Sequence, residues 1–455
     1  MNRLPGLSIQ ECQRARLARD VRFDGRFYIA VKSTGIFCRP ICPANLPKEE
    51  NVEYFVEKAQ ALQAGYRPCL RCRPDSAPSS WAWKGVEATL QRAVDLIEQG
   101  ALHDASLSEL AERLGISDRY LRQLFQTHLG MAPKQYALYQ QLMFAKHLLH
   151  SSSMPVTEIA FASGFNSVRR FNDAFKQVLK LTPSQVRKQD KKNSQGSNFI
   201  DLAYKGPLDW QHMLDFYRLR AVKGIESVDE NSYQRSFVLQ NTAGWFKIAP
   251  LKSGVMRAEF KLDDTRKLKA LVSQLRRMFD LDTDVLSIEQ QLHQLEPELV
   301  RHTGIRIPGV WSCWEAGVRA ILGQQVSIKA AIGQLNLLVA TLQPQGEKHF
   351  PTPDEVASTD LTFLRMPQSR KETLHRFAEF MRDHPEAPLS EWLALKGIGP
   401  WTVNYARLRG ASEPNCFFRW RLSGEKKALN QFPKLNPQSV APWGSYATFH
   451  CWSHA

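Results

Sequence analysis

Apolar side chains recur at intervals of three and four at Leu107, Leu110, Ala111 and Leu114, and again at Ile159, Ala160 and Phe165. That period gathers them on one helix face and predicts an all-α segment over 84–188. Residues 199–295 mix helix with strand alternation, in Phe237-Val238-Leu239 and Phe246-Lys247-Ile248, and read as α+β. Residues 296–455 return to helical spacing broken by glycine turns. The first 78 residues carry short strand-like runs, such as Phe27-Tyr28-Ile29-Ala30-Val31, interrupted by Pro and Gly. A segment of that size buries too little for a large core, so a structural metal would supply what burial cannot. The stretches 73–80 and 188–198 are polar and read as linkers, the second set at 189–198. A weaker break falls near 294–309, where Pro297 and Pro308 bracket a His/Arg-rich stretch.

Composition narrows the class. Apolar residues make up 43% and charged residues 23% of the 455, ordinary globular values that exclude disordered, collagen-like and coiled-coil chains. No run approaches the roughly 18 apolar residues of a membrane helix. The N-terminus, Met1 to Asp20, has no apolar h-region, so no secretory signal and no membrane partner are expected, and the cytoplasm is the default location. Lysine and arginine exceed the acids by 60 − 45 = 15. A surplus of that size points to a polyanionic partner, with a solvated basic surface as the alternative.

Four of the eight cysteines crowd together, as Cys38-Arg-Pro-Ile-Cys42 and Cys69-Leu-Arg-Cys72. Each pair can bite one ion, and four thiolates in tetrahedral array select zinc, one per chain. Free thiols, or a purely structural zinc knuckle, are the alternatives. Around these pairs, Thr34-Gly-Ile-Phe-Cys38, Asn51-Val52 and Ala64-Gly-Tyr-Arg-Pro-Cys69 resemble the N-terminal domain of the Ada adaptive-response proteins, across about residues 10–75. The resemblance implies that Cys38 is both ligand and nucleophile and takes a methyl group irreversibly from a methylphosphotriester of the DNA backbone. It also assigns DNA contacts to Thr34 and Arg67. Two positions that are basic in some members are Pro43 and Asn45 here, so Arg39, Arg71 and Arg73 would have to compensate. Zinc keeps such a thiol ionised at neutral pH. Methylating one sulfur takes the centre from a formal charge of about −2 to −1, which lowers repulsion against phosphate and turns repair into a switch.

Residues 106–125 and 156–176 share one layout: an amphipathic helix, a glycine turn at Gly115 or Gly164, a cap at Ser117 or at Asn166 or Ser167, and a second polar helix. Arg119 and Arg122 in the first copy, and Arg169 and Arg170 in the second, sit where a major-groove helix presents its side chains. A solvated packing unit is the alternative. The run from Gly164-Phe-Asn-Ser to Leu181-Thr-Pro-Ser-Gln-Val-Arg187 resembles the AraC-type DNA-binding domain. The pairing implies promoter DNA, transcription activation and RNA polymerase as a further partner. The second methyltransferase domain of adaptive-response activators, with its Pro-Cys-His-Arg site, is absent from this sequence.

In the C-terminal half, Leu395-Lys-Gly397-Ile-Gly399-Pro-Trp401 reads as a helix-hairpin-helix whose glycines permit a tight turn toward a phosphate. With Gly206-Pro-Leu-Asp-Trp210, Val318 to Ser327 and Pro442-Trp-Gly-Ser-Tyr446, it resembles the alkyladenine DNA glycosylases of the AlkA type, over roughly 200–455. That resemblance implies base flipping into an aromatic slot formed by Phe216, Trp401, Tyr405 and Trp452, with Gln325 filling the vacated gap. For each aromatic, core packing is the alternative. It also implies an aspartate shortly after the hairpin, which stabilises the sugar cation as the base leaves. Arg421 stands at that position, and no Asp follows Asp383. A guanidinium beside a developing cation is repulsive. One back-translation of Arg419 to Lys427, read from its second base, encodes Asp-Gly-Asp-Tyr-Arg-Val-Lys-Lys, so a compensated frameshift would restore the string. No lysine stands where lyase-type relatives carry one, so a monofunctional, water-using glycosylase is expected.

The expected protein is multidomain and mainly α. It comprises a small zinc-bound α+β domain (1–78), an all-α double helix-turn-helix domain (84–188), and a glycosylase fold built from an α+β subdomain (199–295) and an all-α helix-hairpin-helix domain (296–455). A monomer acting on damaged and promoter duplex DNA in the bacterial cytosol is expected. The rival readings are a regulator whose glycosylase fold only grips DNA, silenced by Arg421, and a zinc-stabilised transcription factor with no chemistry.

Overall fold

The computed structural model describes residues 9–17, 19, 27–72, 74, 88–98, 100–187, 198–344, 348–418, 432 and 434–454. Arg421, and the linker residues 75–80 and 188–197, lie outside the described residues. The chain divides into two compact units, Met1–Gly196 and Ser197–Ala455.

In the first unit, α1 (Ile9–Leu17) precedes a four-stranded sheet of order β3-β1-β2-β4, formed by β1 (Tyr28–Val31), β2 (Ile36–Cys38), β3 (Val52–Phe55) and β4 (Arg67–Pro68). β1 pairs antiparallel with β2 and β3, while β2 and β4 run parallel. Alternation along the strands sends Tyr28, Ala30 and Phe37 into one small cluster and Phe27, Ile29 and Val52 into another. Neither is a large core. α2 (Lys58–Gln63) reaches further, placing Ala59 in the core of the helices that follow.

Those helices are α3 (Ala88–Glu98), α4 (Ala101–Asp104), α5 (Leu107–Arg113), α6 (Asp118–Leu129), α7 (Pro133–Ser151), α8 (Val156–Ala162), α9 (Val168–Leu179) and α10 (Pro183–Val186). The expected three-and-four spacing is realised: Leu107, Leu110, Ala111, Leu121, Leu124 and Phe125 are buried together. Ser106 and Glu109 form a reciprocal cap on α5. Ser117 caps α6 and, of the two candidates, Ser167 caps α9, each hydroxyl accepting a backbone N–H at 3.2 Å. The turns pass through Gly115 and Gly164 at φ +68° and +84°. α7 joins the two copies.

The second unit opens with an antiparallel sheet of order β5-β9-β8-β7-β6, from β5 (Asn198–Ala203), β6 (Glu226–Val228), β7 (Tyr233–Leu239), β8 (Thr242–Lys252) and β9 (Val255–Leu262). The strands expected at Phe237 and Phe246 are β7 and β8. α11 (Trp210–Arg218), α12 (Leu268–Met278) and α13 (Val285–Leu295) complete this part. α14 (Cys313–Leu322), α15 (Ile328–Leu342), α16 (Pro353–Ala357), α17 (Gln368–Asp383), α18 (Pro400–Tyr405) and the C-terminal helix Gly444–Trp452 follow. Between α13 and α14 the chain is irregular but not a linker: Leu299, Ile305 and Ile307 are fully buried. α14 is buried nearly all round.

Four charges tie the sheet to α14. Arg235 on β7 and Arg319 on α14 each bond both Glu226 on β6 and Glu315 on α14, with Arg319 2.7 Å from each. All four side chains are at most 5% exposed. Burial opposes the charge on Glu226, but Arg319 and Arg235 outweigh it and hold the carboxyl at about 2. The signal in the sequence was Arg235 on the inward face of an alternating strand, between Tyr233 and Phe237.

Candidate metal centre and nucleic-acid interface

The parallel pairing of β2 with β4 builds the cysteine cluster. Ile36 faces Arg67 and Phe37 faces Pro68, so Cys38 and Cys69 emerge side by side at the ends of the two strands. The Cys69 N–H donates to Phe37 O at 2.9 Å. The turns that follow bring in Cys42 and Cys72. All four Sγ atoms lie within 4.8 Å of one another. A tetrahedral zinc with bonds of about 2.3 Å needs sulfurs about 3.8 Å apart, so only a small contraction separates the cluster from a coordination shell. Among the described residues no other group of His, Cys, Asp or Glu converges in this way.

The electrostatics of the donor set also fit a dication. Hydrogen bonding to Cys42, then Cys69 and Cys72, drives the Cys38 thiol far above its ordinary value, while the same sharing brings Cys42 down to about 7. Four sulfurs this close cannot all ionise unless a cation offsets them. The Arg39 N–H donates to Cys72 Sγ at 3.3 Å, and the Arg39 guanidinium to Cys72 O at 3.3 Å, fixing the second pair. Cys42, Cys69 and Cys72 are buried, whereas Cys38 is half-buried. Thr34 is exposed on the β1–β2 turn and Arg67 half-buried on β4.

Arg119 and Arg122 on α6, and Arg169 and Arg170 on α9, are exposed near the N-terminal ends of their helices. Their apolar neighbours Leu121, Leu124, Phe171 and Phe175 point inward.

In the second unit Phe216 stacks with Trp452, centroids 6.3 Å apart at 9°, and Trp401 stacks with Tyr405, 5.5 Å apart at 27°. All four are partly buried and pack on the same core cluster. Two cations that the sequence reading did not single out join them. The Arg220 guanidinium lies 3.7 Å and that of Arg409 4.8 Å from the Phe216 ring centre. Arg409, 1% exposed, donates to the Tyr405 hydroxyl at 2.9 Å and to Pro308 O at 2.8 Å. Burial alone would raise the Tyr405 phenol, yet Arg409 and Arg220 bring it below its ordinary value.

The glycine hairpin has the tight turn expected of it. Gly397 sits at φ +95°, where a β-carbon would collide with Thr373. Gly399 caps α18 and Pro400 opens it. Gln325 is exposed in a left-handed conformation, φ +58°, at the tip of the loop before α15. Its neighbour Gln324, which sequence reasoning passed over, donates to Gly397 O at 3.2 Å and to Thr402 Oγ1 at 3.3 Å, tying that loop to the hairpin.

Three family models match the chain: the metal-binding domain of Ada over residues 11–75, a helix-turn-helix domain over 110–189, and the AlkA N-terminal domain over 199–312. A probable bifunctional transcriptional activator/DNA repair enzyme AlkA from Mycobacterium tuberculosis is 33% identical, covering 98% of this chain and 96% of that protein. The DNA-3-methyladenine glycosylase 2 of Escherichia coli is 30% identical over 55% of this chain and 95% of its own length. The bifunctional transcriptional activator/DNA repair enzyme Ada of Escherichia coli is 35% identical over 38% of this chain and 47% of its own length. With a relative matched almost end to end and the metal-binding, helix-turn-helix and glycosylase parts in the same order, the chain belongs to the family of bifunctional transcriptional activator/DNA repair proteins that join an Ada-type half to an AlkA-type half.

Proposed function

We propose that this protein repairs alkylated DNA and reports the damage to a promoter, and that Cys38 is the methyl acceptor. The observation that carries this reading is the cluster of four sulfurs within 4.8 Å of one another, in which Cys38 is the half-buried residue. Cys38, Cys42, Cys69 and Cys72 would hold one zinc, which supplies the charge that keeps a sulfur ionised at neutral pH. Cys38 Sγ then attacks the methyl carbon of a phosphotriester. An S–C bond forms, the C–O bond breaks, and its electron pair leaves on the phosphate oxygen, which becomes an ordinary diester anion. The thioether has no good leaving group, so the chain turns over once. Thr34 and Arg67 flank the acceptor and would position the backbone.

Arg119, Arg122, Arg169 and Arg170 would meet the major groove of a promoter, with RNA polymerase recruited beside it. In the second unit Gly397 and Gly399 would seat a phosphate, Gln325 would enter the duplex, and Phe216, Trp401, Tyr405 and Trp452 would receive a flipped alkylated base. The whole would act as a monomer on duplex DNA in the bacterial cytosol.

Incubation with a duplex bearing one methylphosphotriester tests the core of this reading. Peptide mass spectrometry should place a single methyl on Cys38, and an unmodified chain would refute it. A second reading, a glycosylase half that grips DNA without excising, is favoured by Arg421 and by the lack of any Asp after Asp383. Measuring 3-methyladenine release from alkylated DNA, together with resequencing the codons of 419–427, separates the two. Release with an intact reading frame would remove the silenced reading.

A further inference from the structure

The first unit holds an adjacency that distinguishes its two helix-turn-helix copies. β4 leads directly into the ligand Cys69 and lies against α9, with α-carbons of the two elements within 8 Å. The same small domain meets the first copy elsewhere. α2 inserts Ala59 into the core of α3, α5 and α6, and Gln63 borders Gly130, just past the C-terminal end of α6. At 1.5 Å per residue, Arg119 and Arg122 lie roughly 12–16 Å up the helix from that end. Beyond a Debye length of about 8–10 Å, exposed charges are largely screened from one another, whereas β4 and α9 approach one another within it.

The two helices also differ in charge. α9 and its C-cap expose Arg169, Arg170, Lys176 and Lys180 against Asp173, and the Arg169–Asp173 pair is open, at 4.0 Å with side chains 93% and 76% exposed. α6 exposes Arg119 and Arg122, and Asp118 engages Arg122 at 3.3 Å. The denser and less neutralised positive helix is the one beside the metal-site strand.

We propose that β4 and α9 form one DNA-binding face, with Arg67, Arg169 and Arg170 on the same stretch of duplex as the phosphate repaired by Cys38. The α9 contact, and not the α6 contact, then carries the gain in DNA affinity when Cys38 becomes a thioether. This rests on the methyl-acceptor reading above. Losing one negative charge at the cluster strengthens the local field felt by a phosphate, and of the two arginine-bearing helices it is α9 that lies against the metal-site strand.

The test compares the full chain with the variants Arg169→Ala/Arg170→Ala and Arg119→Ala/Arg122→Ala, each checked for zinc content and melting temperature. Affinity for one fixed duplex at one salt concentration is measured before and after methylation of Cys38. The wild type should gain about tenfold, within the usual range of coupling between two sites. The α9 variant should gain less than about twofold. The α6 variant should bind more weakly throughout yet keep its tenfold gain. Loss of the gain in the α6 variant, or an equal gain or equal loss in both variants, overturns the proposal. A wild type that accepts the methyl but gains nothing overturns this proposal alone, whereas one that accepts no methyl overturns the methyl-acceptor reading and this proposal with it.

Discussion

The two units solve the same problem, holding reactive geometry in place, by different means. The sheet of β1 to β4 has two small apolar clusters and four sulfurs too close to ionise together without a cation. Its order is borrowed from an ion, because too few residues are present to fix the cysteines by packing. The second unit has two broad cores, and it spends burial on a charge network, Glu226, Arg235, Glu315 and Arg319, that fixes the β-sheet on α14. A small site leans on coordination, and a large one can carry buried charge. The first is then sensitive to metal and oxidation, the second to loss of a single partner.

Stripping the metal should break the comparison most sharply. A chelator, or Cys42→Ala, removes a stabilisation on the order of 10 kcal/mol from the zinc site. Calorimetry should show an early transition for the first unit and an unmoved one for the second. Equal shifts in both would contradict the assignment of that stabilisation to the first unit.

Glu315→Ala should do the reverse. It leaves Arg235 and Arg319 buried with one carboxylate between them, and removal of one partner from a buried network costs about 3–5 kcal/mol. The second unit should melt early while zinc content stays at one per chain.

A smaller effect comes from acid. His450 is fully buried on the C-terminal helix and burial, reinforced by His212, His454 and His302, brings it down to about 3. Glu289 faces it at 3.6 Å. Because its folded value lies below the unfolded one of about 6.5, His450 favours the fold above that pH, and this advantage is lost as pH falls toward 3. Between pH 7 and 5 the second unit should lose about 2 kcal/mol on this account. His450→Gln should flatten that slope, measured by denaturant unfolding at the two pH values, and an unchanged slope would show that other groups set it.

What could be read in advance was local. The paired cysteines, the cap at Ser117 and a second at Asn166 or Ser167, the glycine turns and the strand alternation at Phe237 and Phe246 each depend on neighbours within a few residues, so one-dimensional spacing carried them. Arg409, Arg220 and Gln324 could not be found that way. Their partners Phe216, Pro308, Gly397 and Thr402 lie, for the most part, many tens of residues away.

The linear order of residues determined the local chemistry of this protein: which thiols pair, which helices carry arginine, and which turn needs glycine. Only the tertiary structure decided the company those groups keep, setting β4 against α9 and guanidiniums against the aromatic rings. Spacing along a chain fixes short-range geometry, but the field at a site is the sum over every charge that folding brings within reach, and that sum has no one-dimensional counterpart.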